Sequence, residues 1–106
     1  MIAVNSSEME IILDIIKKHA ADCDVLAFGS RFKHTNTEIS DLDLAVRGDE
    51  KVGYVKIAEM KEDFMESDLL FRVDVLDYRS ISDSFRKIID KGNEIIYRGK
   101  REANGA

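Results

Sequence analysis

The stretch that most constrains this chain runs over residues 26–46, LAFGSRFKHTNTEISDLDLAV. An apolar run ends in Gly29-Ser30, a polar segment follows, and Asp41 and Asp43 then stand one residue apart at the head of a second apolar run. Apolar runs this short, bounded by glycine and polar residues, are strand-sized. On a strand, residues two apart project to the same side. Asp41 and Asp43 therefore face one way, while Leu42, Leu44 and Val46 face the other, into a core. The chain must build a sheet that carries two neighbouring carboxylates.

The remaining segments supply what such a sheet packs against. NSSEMEIILDIIKKHAA reads as a helix: Ser7 and Glu10 match a capping box, and Ile11, Ile12, Ile15 and Ile16 recur at helical spacing. DVLAFGS predicts a strand over 25–28, stopped by Gly29, and SDLDLAVRG a second with period-two alternation, ended by Gly48. EKVGYVKIAEMKEDFMESD places Tyr54, Ile57, Ala58, Phe64 and Met65 on one helical stripe. LLFRVDVLDY predicts a third strand. SISDSFRKIIDKG predicts a helix with a serine cap, an apolar face of Phe85, Ile88 and Ile89, and Gly92 as its stop. NEIIYRG predicts a short edge strand. Helices and strands alternate, so the class is α/β (α+β): a small mixed β-sheet flanked by helices, with one domain over residues 1–98 and a frayed tail over 99–106. Met9, Met60 and Met65 read as packing, and Arg98, Lys100 and Arg101 as solubilising charge.

Composition narrows the function. With 44% hydrophobic and 35% charged residues, the chain can bury a core and is too apolar to be disordered. A formal net charge of -5 argues against a general nucleic-acid binder, which needs clustered Lys and Arg, so no direct nucleic-acid partner is expected. Cys23 stands alone, which rules out an intramolecular disulfide and fits a reducing compartment; it reads as core filler rather than a nucleophile. The N-terminus lacks the features of a signal peptide, and no run approaches the ~18 apolar residues of a membrane span. A cytoplasmic protein without membrane contact is the expectation. His19, near a helix end, reads as a surface residue compatible with the helix dipole.

Two carboxylates side by side repel unless a positive charge lies between them. A divalent cation meets that need, and Mg²⁺ takes one or two carboxylates and completes its shell with waters and substrate phosphates. The solvated face of a half-exposed strand gives the same Asp-x-Asp pattern, so the motif alone leaves both readings open. Gly29-Ser30 adds a second element. Just past a strand, glycine lets backbone amides approach a phosphate, a following helical turn adds its dipole, and the Ser30 hydroxyl can donate. Alone, that pair is most often just a turn. Arg31 and Lys33 supply nearby positive charge. In FRVDVLDY, Asp74 interrupts a further apolar strand and is favoured over Asp77, which sits at the strand end where a cap or turn residue belongs. A carboxylate at 74 could bind a second ion and accept the proton of an attacking hydroxyl.

Taken together, GSRFKHTNTEISDLDLAV with the later RVDVLD resembles the minimal nucleotidyltransferase (MNT) family of the DNA polymerase β-like superfamily. The resemblance spans nearly the whole chain. It implies the polymerase β-like nucleotidyltransferase fold, Asp41, Asp43 and Asp74 as metal carboxylates for Mg²⁺ (two ions), and Gly29 and Ser30 as the triphosphate cradle. Arg31 matches an arginine that often follows in bacterial and archaeal members, and the resemblance implies that it binds the nucleotide's phosphates with Gly29 and Ser30. This chain departs from many members at His34, where they carry glycine, and at Thr37, near which they carry a basic residue. Histidine adopts unusual backbone angles more readily than most residues.

Members of this family are often encoded beside a helical HEPN protein as antitoxin to its toxin, and some transfer AMP to a tyrosine of that partner. The implied activity is therefore Mg²⁺-dependent transfer of a nucleoside monophosphate, AMP from ATP or another nucleoside triphosphate, to a hydroxyl on a HEPN-type partner. The cradle, the acids and their sheet use almost all of the chain, so the acceptor is expected on another molecule. The alternative is a non-catalytic module that neutralises a toxin by masking it, and a third is transfer to a small metabolite.

Overall fold

Asn5 starts the first helix by a reciprocal hydrogen-bond pair, its side chain accepting from the Glu8 amide at 2.8 Å while the Glu8 carboxylate accepts from the Asn5 amide at 2.8 Å. The capping box thus uses Asn5 and Glu8, not the expected Ser7 and Glu10. Both pairs have the required spacing; starting at Asn5 brings Glu8 into the first turn, where a carboxylate suits the helix dipole. The computed structural model describes residues 1–100. In chain order the elements are α1 (Ser6–His19), β1 (Asp24–Phe28), α2 (Ser30–Lys33), β2 (Leu42–Arg47), α3 (Tyr54–Met65), β3 (Val73–Asp77), α4 (Asp83–Lys91) and β4 (Glu94–Tyr97).

The strands form a four-stranded mixed sheet in the order β3-β2-β1-β4. β1 pairs antiparallel with both β2 and β4, whereas β2 and β3 run parallel. A parallel pair needs a crossover, and α3 supplies it. β4 is an edge strand, as its sequence predicts, and β3 is the other edge.

Pleating sorts the strands into two cores. Val25, Ala27, Leu44, Val46 and Val75 meet the α1 residues Ile12 and Ile16 and the α3 residues Ile57, Met60 and Phe64. On the opposite face, Leu26, Ala45 and Tyr78 pack with Ile89 of α4. The α3 stripe is rotated from the one expected: Ile57, Met60 and Phe64 are buried, while Tyr54, Ala58 and Met65 face solvent. In α4, Ile89 is buried and Phe85 packs beside it, but Ile88 is 65% exposed. A stripe of 3.6-residue period has a sharp phase only when its partner surface is known. β3 is shorter than LLFRVDVLDY because residues 69–72 run as irregular chain before it. Of the expected tail, the Gly99 amide donates to Asp24 Oδ1 at 2.9 Å and the Lys100 amide to the Ala21 carbonyl at 2.8 Å. Residues 101–106, which include Arg101 of the expected solubilising group, lie outside the described residues. No helix among the described residues is long and apolar enough to cross a membrane.

Candidate active site

Strand register assembles the acids. Asp43 stands opposite Phe28 in the antiparallel β1–β2 pair and opposite Asp74 in the parallel β2–β3 pair. Both aspartates lie on the face that α4 covers, beyond the reach of its apolar patch on Leu26 and Ala45, and both stay half-exposed. Asp41 is exposed just before β2 begins. Partial burial, then the charge of Asp74, then that of Asp41 hold the Asp43 carboxyl above its ordinary pKa. The charges that Asp74 and Asp41 place on Asp43 are of the kind a cation would relieve.

Gly29 brings the other half of the site against this field. It turns the chain from β1 into α2 at φ 77, and a Cβ built on it would lie 2.3 Å from Asp43 Oδ2. Only a residue without a side chain lets the backbone come so near the carboxylate. Ser30 opens α2, a single turn whose leading amides have no acceptor within the helix. A triphosphate at this turn would meet amide and hydroxyl donors on one side and the aspartates on the other.

The donor set suits Mg²⁺: every candidate ligand is a hard carboxylate oxygen. Among the described residues no three His, Cys, Asp or Glu side chains form a ready-made ion cage.

Arg31 goes elsewhere than expected. It is 4% exposed, and its guanidinium donates to the carbonyls of Ala3 at 2.7 Å, Ser40 at 2.9 Å and Glu38 at 2.9 Å, with Thr37 at 3.5 Å. It also stacks 3.8 Å from the centre of the Phe71 ring. A phosphate contact is thereby replaced by a structural one: Arg31 ties the turn after Ser30 to the loop that delivers Asp41 and to the segment entering β3. A buried cation needs such partners, and backbone carbonyls provide them without a counter-charge. Thr37 belongs to the same loop, its amide donating to Ser40 Oγ at 2.9 Å. His34 ends α2 in the left-handed region, at φ 60, with Nε2 2.6 Å from the Met1 carbonyl oxygen. Lys33 is exposed on α2.

Asp77 takes the cap-and-turn role expected for it. It is buried and accepts from the Gly53 amide at 3.1 Å, the Arg79 amide at 3.3 Å and Ser80 Oγ at 3.2 Å. Lys61 is a neighbour that sequence reasoning missed: its Nζ lies 3.9 Å from Asp74 Oδ1. α3 packs on one face of the sheet and Asp74 points to the other, so Lys61 reaches past the free edge of β3. A contact of that kind leaves no local signature.

Residues 10–102 match the family described as polymerase beta, nucleotidyltransferase. The chain is 42% identical over 93 residues, 88% of its own length and 82% of the relative's, to the probable protein adenylyltransferase MntA of Haemophilus influenzae. Among solved structures it is similar to a toxin–antitoxin crystal structure with AMP-PNP, at a TM-score of 0.73 and 20% identity, over 92% of this chain and 77% of that one. It is also similar to the complex of tri-AMPylated Shewanella oneidensis HEPN toxin with MNT antitoxin, at a TM-score of 0.67 and 18% identity, over 93% and 76%. At these identities the two structures establish a shared fold.

Proposed function

Since the chain belongs to the polymerase β nucleotidyltransferase family and is itself a nucleotidyltransferase, we propose that it transfers AMP from ATP to a tyrosine hydroxyl of a HEPN-type partner protein and so serves as its antitoxin. The observation that carries this reading is the Gly29–Ser30 turn set against Asp43, with Asp74 beside it in register. The adenylyltransferase relative and the AMPylated toxin complex support the choice of nucleotide and acceptor.

Gly29 and Ser30 receive the triphosphate through backbone amides and the Ser30 hydroxyl. Asp41, Asp43 and Asp74 would hold Mg²⁺, as two ions, and the metal when bound neutralises the charge that grows on the leaving group. Asp74 stands at the free edge of the sheet, open to an acceptor. The tyrosine oxygen bonds to the α-phosphorus, the bond from that phosphorus to the bridging oxygen breaks, and pyrophosphate leaves with the electron pair. The hydroxyl proton passes to the Asp74 carboxylate. Catalysis of this kind is mainly positioning and charge stabilisation. ATP supply and a lone thiol suit the cytoplasm as the place of reaction.

The test is transfer of α-phosphate label from ATP, with Mg²⁺, to the HEPN-type protein. Label on a tyrosine of that protein is expected, and Asp43→Asn should abolish it while remaining folded. Transfer by Asp43→Asn at the wild-type rate would remove the assignment. Label on a small metabolite instead of protein would reassign the acceptor.

One observation favours a second reading, in which the chain masks the toxin without chemistry. Arg31 is consumed by backbone carbonyls, so one of the cations nearest the turn is withdrawn from a triphosphate. Toxin neutralisation by Asp41→Asn/Asp43→Asn would support masking, and its loss would support transfer.

A further inference from the structure

The free edge of β3 borders a groove that shares only Asp74 with the candidate active site. Among the described residues β3 pairs only with β2, so its outer backbone groups are available to another strand. Beside it, the end of α3 and the chain entering β3 enclose about 550 Å³, a volume within the usual range for a binding cleft. Phe64, Met65 and Leu70 line it, together with the charged residues Lys61, Arg72 and Asp74. Met65 is 84% and Leu70 89% exposed, an apolar pair set in water next to Asp74. Such a patch on a small domain marks a contact surface. Of the charged residues that line it, two are cations, Lys61 and Arg72, and one is Asp74, in a chain whose net charge is -5.

We propose that this groove seats the acceptor: an extended segment of the partner protein lies along the free edge of β3, with an apolar side chain against Met65 and Leu70 and acidic residues against Lys61 and Arg72. Strand addition of this type draws affinity from main-chain hydrogen bonds and specificity from the pockets alongside. Its direction brings a hydroxyl on the segment to Asp74, and in naming that hydroxyl as the reacting group the proposal rests on the transfer reading. Lys61 bridges the two, within reach of both Asp74 and an acidic flank.

The test uses Leu70→Asp and Arg72→Glu, both at exposed positions where folding should survive; their unfolding midpoints check this. Calorimetry measures affinity for the unmodified HEPN-type protein, and thermal unfolding with Mg²⁺ and ATP measures nucleotide binding. Each variant should bind the partner at least ~10-fold more weakly, the loss expected for a central contact, and should raise the KM for the partner without altering the ATP-induced midpoint shift. Wild-type affinity in both variants would overturn the proposal, as would no binding of the partner by the wild type. Loss of the ATP shift would overturn it too, by giving the groove to the nucleotide. Should the wild type bind the partner but transfer no label, the transfer reading fails while the affinity comparison still decides the groove.

Discussion

Gly29 and Asp43 meet so closely that a methyl group could not stand between them: a Cβ at residue 29 would lie 2.3 Å from Asp43 Oδ2 and 3.2 Å from its Cγ. The contact joins the end of β1 to the middle of the candidate metal site, so the glycine turn and Asp43 are one construction. It explains why a glycine stands here independently of any ligand.

Gly29→Ala should therefore cost more than the strain of its backbone. An L-residue forced into the region Gly29 occupies costs ~1–3 kcal/mol, and the clash with Asp43 adds to it. Gly53→Ala is the control, since Gly53 also has positive φ, at 94, but nothing lies within 4 Å of its added Cβ. For a domain of this size each kcal/mol lowers the midpoint by ~4–8 °C. Thermal unfolding should rank Gly29→Ala clearly below Gly53→Ala; equal midpoints would mean that Asp43 moves aside freely.

Asp43→Asn should raise stability in EDTA while abolishing transfer. Folding raises the Asp43 pKa through burial, Asp74 and Asp41, so the native state binds more protons than the unfolded one. The resulting penalty is fully present above the raised pKa and disappears as pH falls below the ordinary carboxylate value. Midpoints of wild type and variant should differ most near pH ~7 and converge on acidification. A gap that widened as pH fell would contradict the charge cluster.

Asp63 predicts the opposite slope. The hydrogen bond from His19, at 2.6 Å, and then that from Lys18, at 3.0 Å, hold its carboxyl below the ordinary value. The stability it contributes is present above the unfolded pKa and is lost as pH falls through the lowered one. Asp63→Asn should be less stable than wild type near neutrality and equal to it in acid, read from midpoints across that range. The pair bridges α1 and α3, so the effect should leave nucleotide binding untouched.

Arg31→Met should destabilise by ~1–3 kcal/mol, because it removes the charged donor that the partly buried carbonyls of Ala3, Glu38 and Ser40 accept from. Arg31→Lys should recover little, since one ammonium cannot reach the carbonyls of Ala3, Glu38 and Ser40 together. Urea midpoints at unchanged slope would measure both. A near wild-type midpoint for Arg31→Lys would show that charge alone suffices.

Much of this protein is written locally. Period two in DLDLAV set the two aspartates apart from Leu42 and Leu44, and helical spacing marked Ile12, Ile15 and Ile16, because each pattern depends only on how one element turns its side chains. The partner surface decided the rest. Tyr54, Met65 and Ile88 satisfy an apolar stripe in sequence yet face solvent, since the phase of a helix depends on what it packs against. Arg31 reads as a phosphate ligand beside Gly29-Ser30, but carbonyls of the following loop and of Ala3, far back in the chain, take its side chain. The elements, the acidic pair and the glycine turn are each encoded within a few neighbouring residues. That Asp74 stands beside Asp43, that Lys61 reaches around the edge of β3, and where Arg31 points were set by the packed fold. Those relations depend on strand register and close packing between distant segments, and neither has a local period to read.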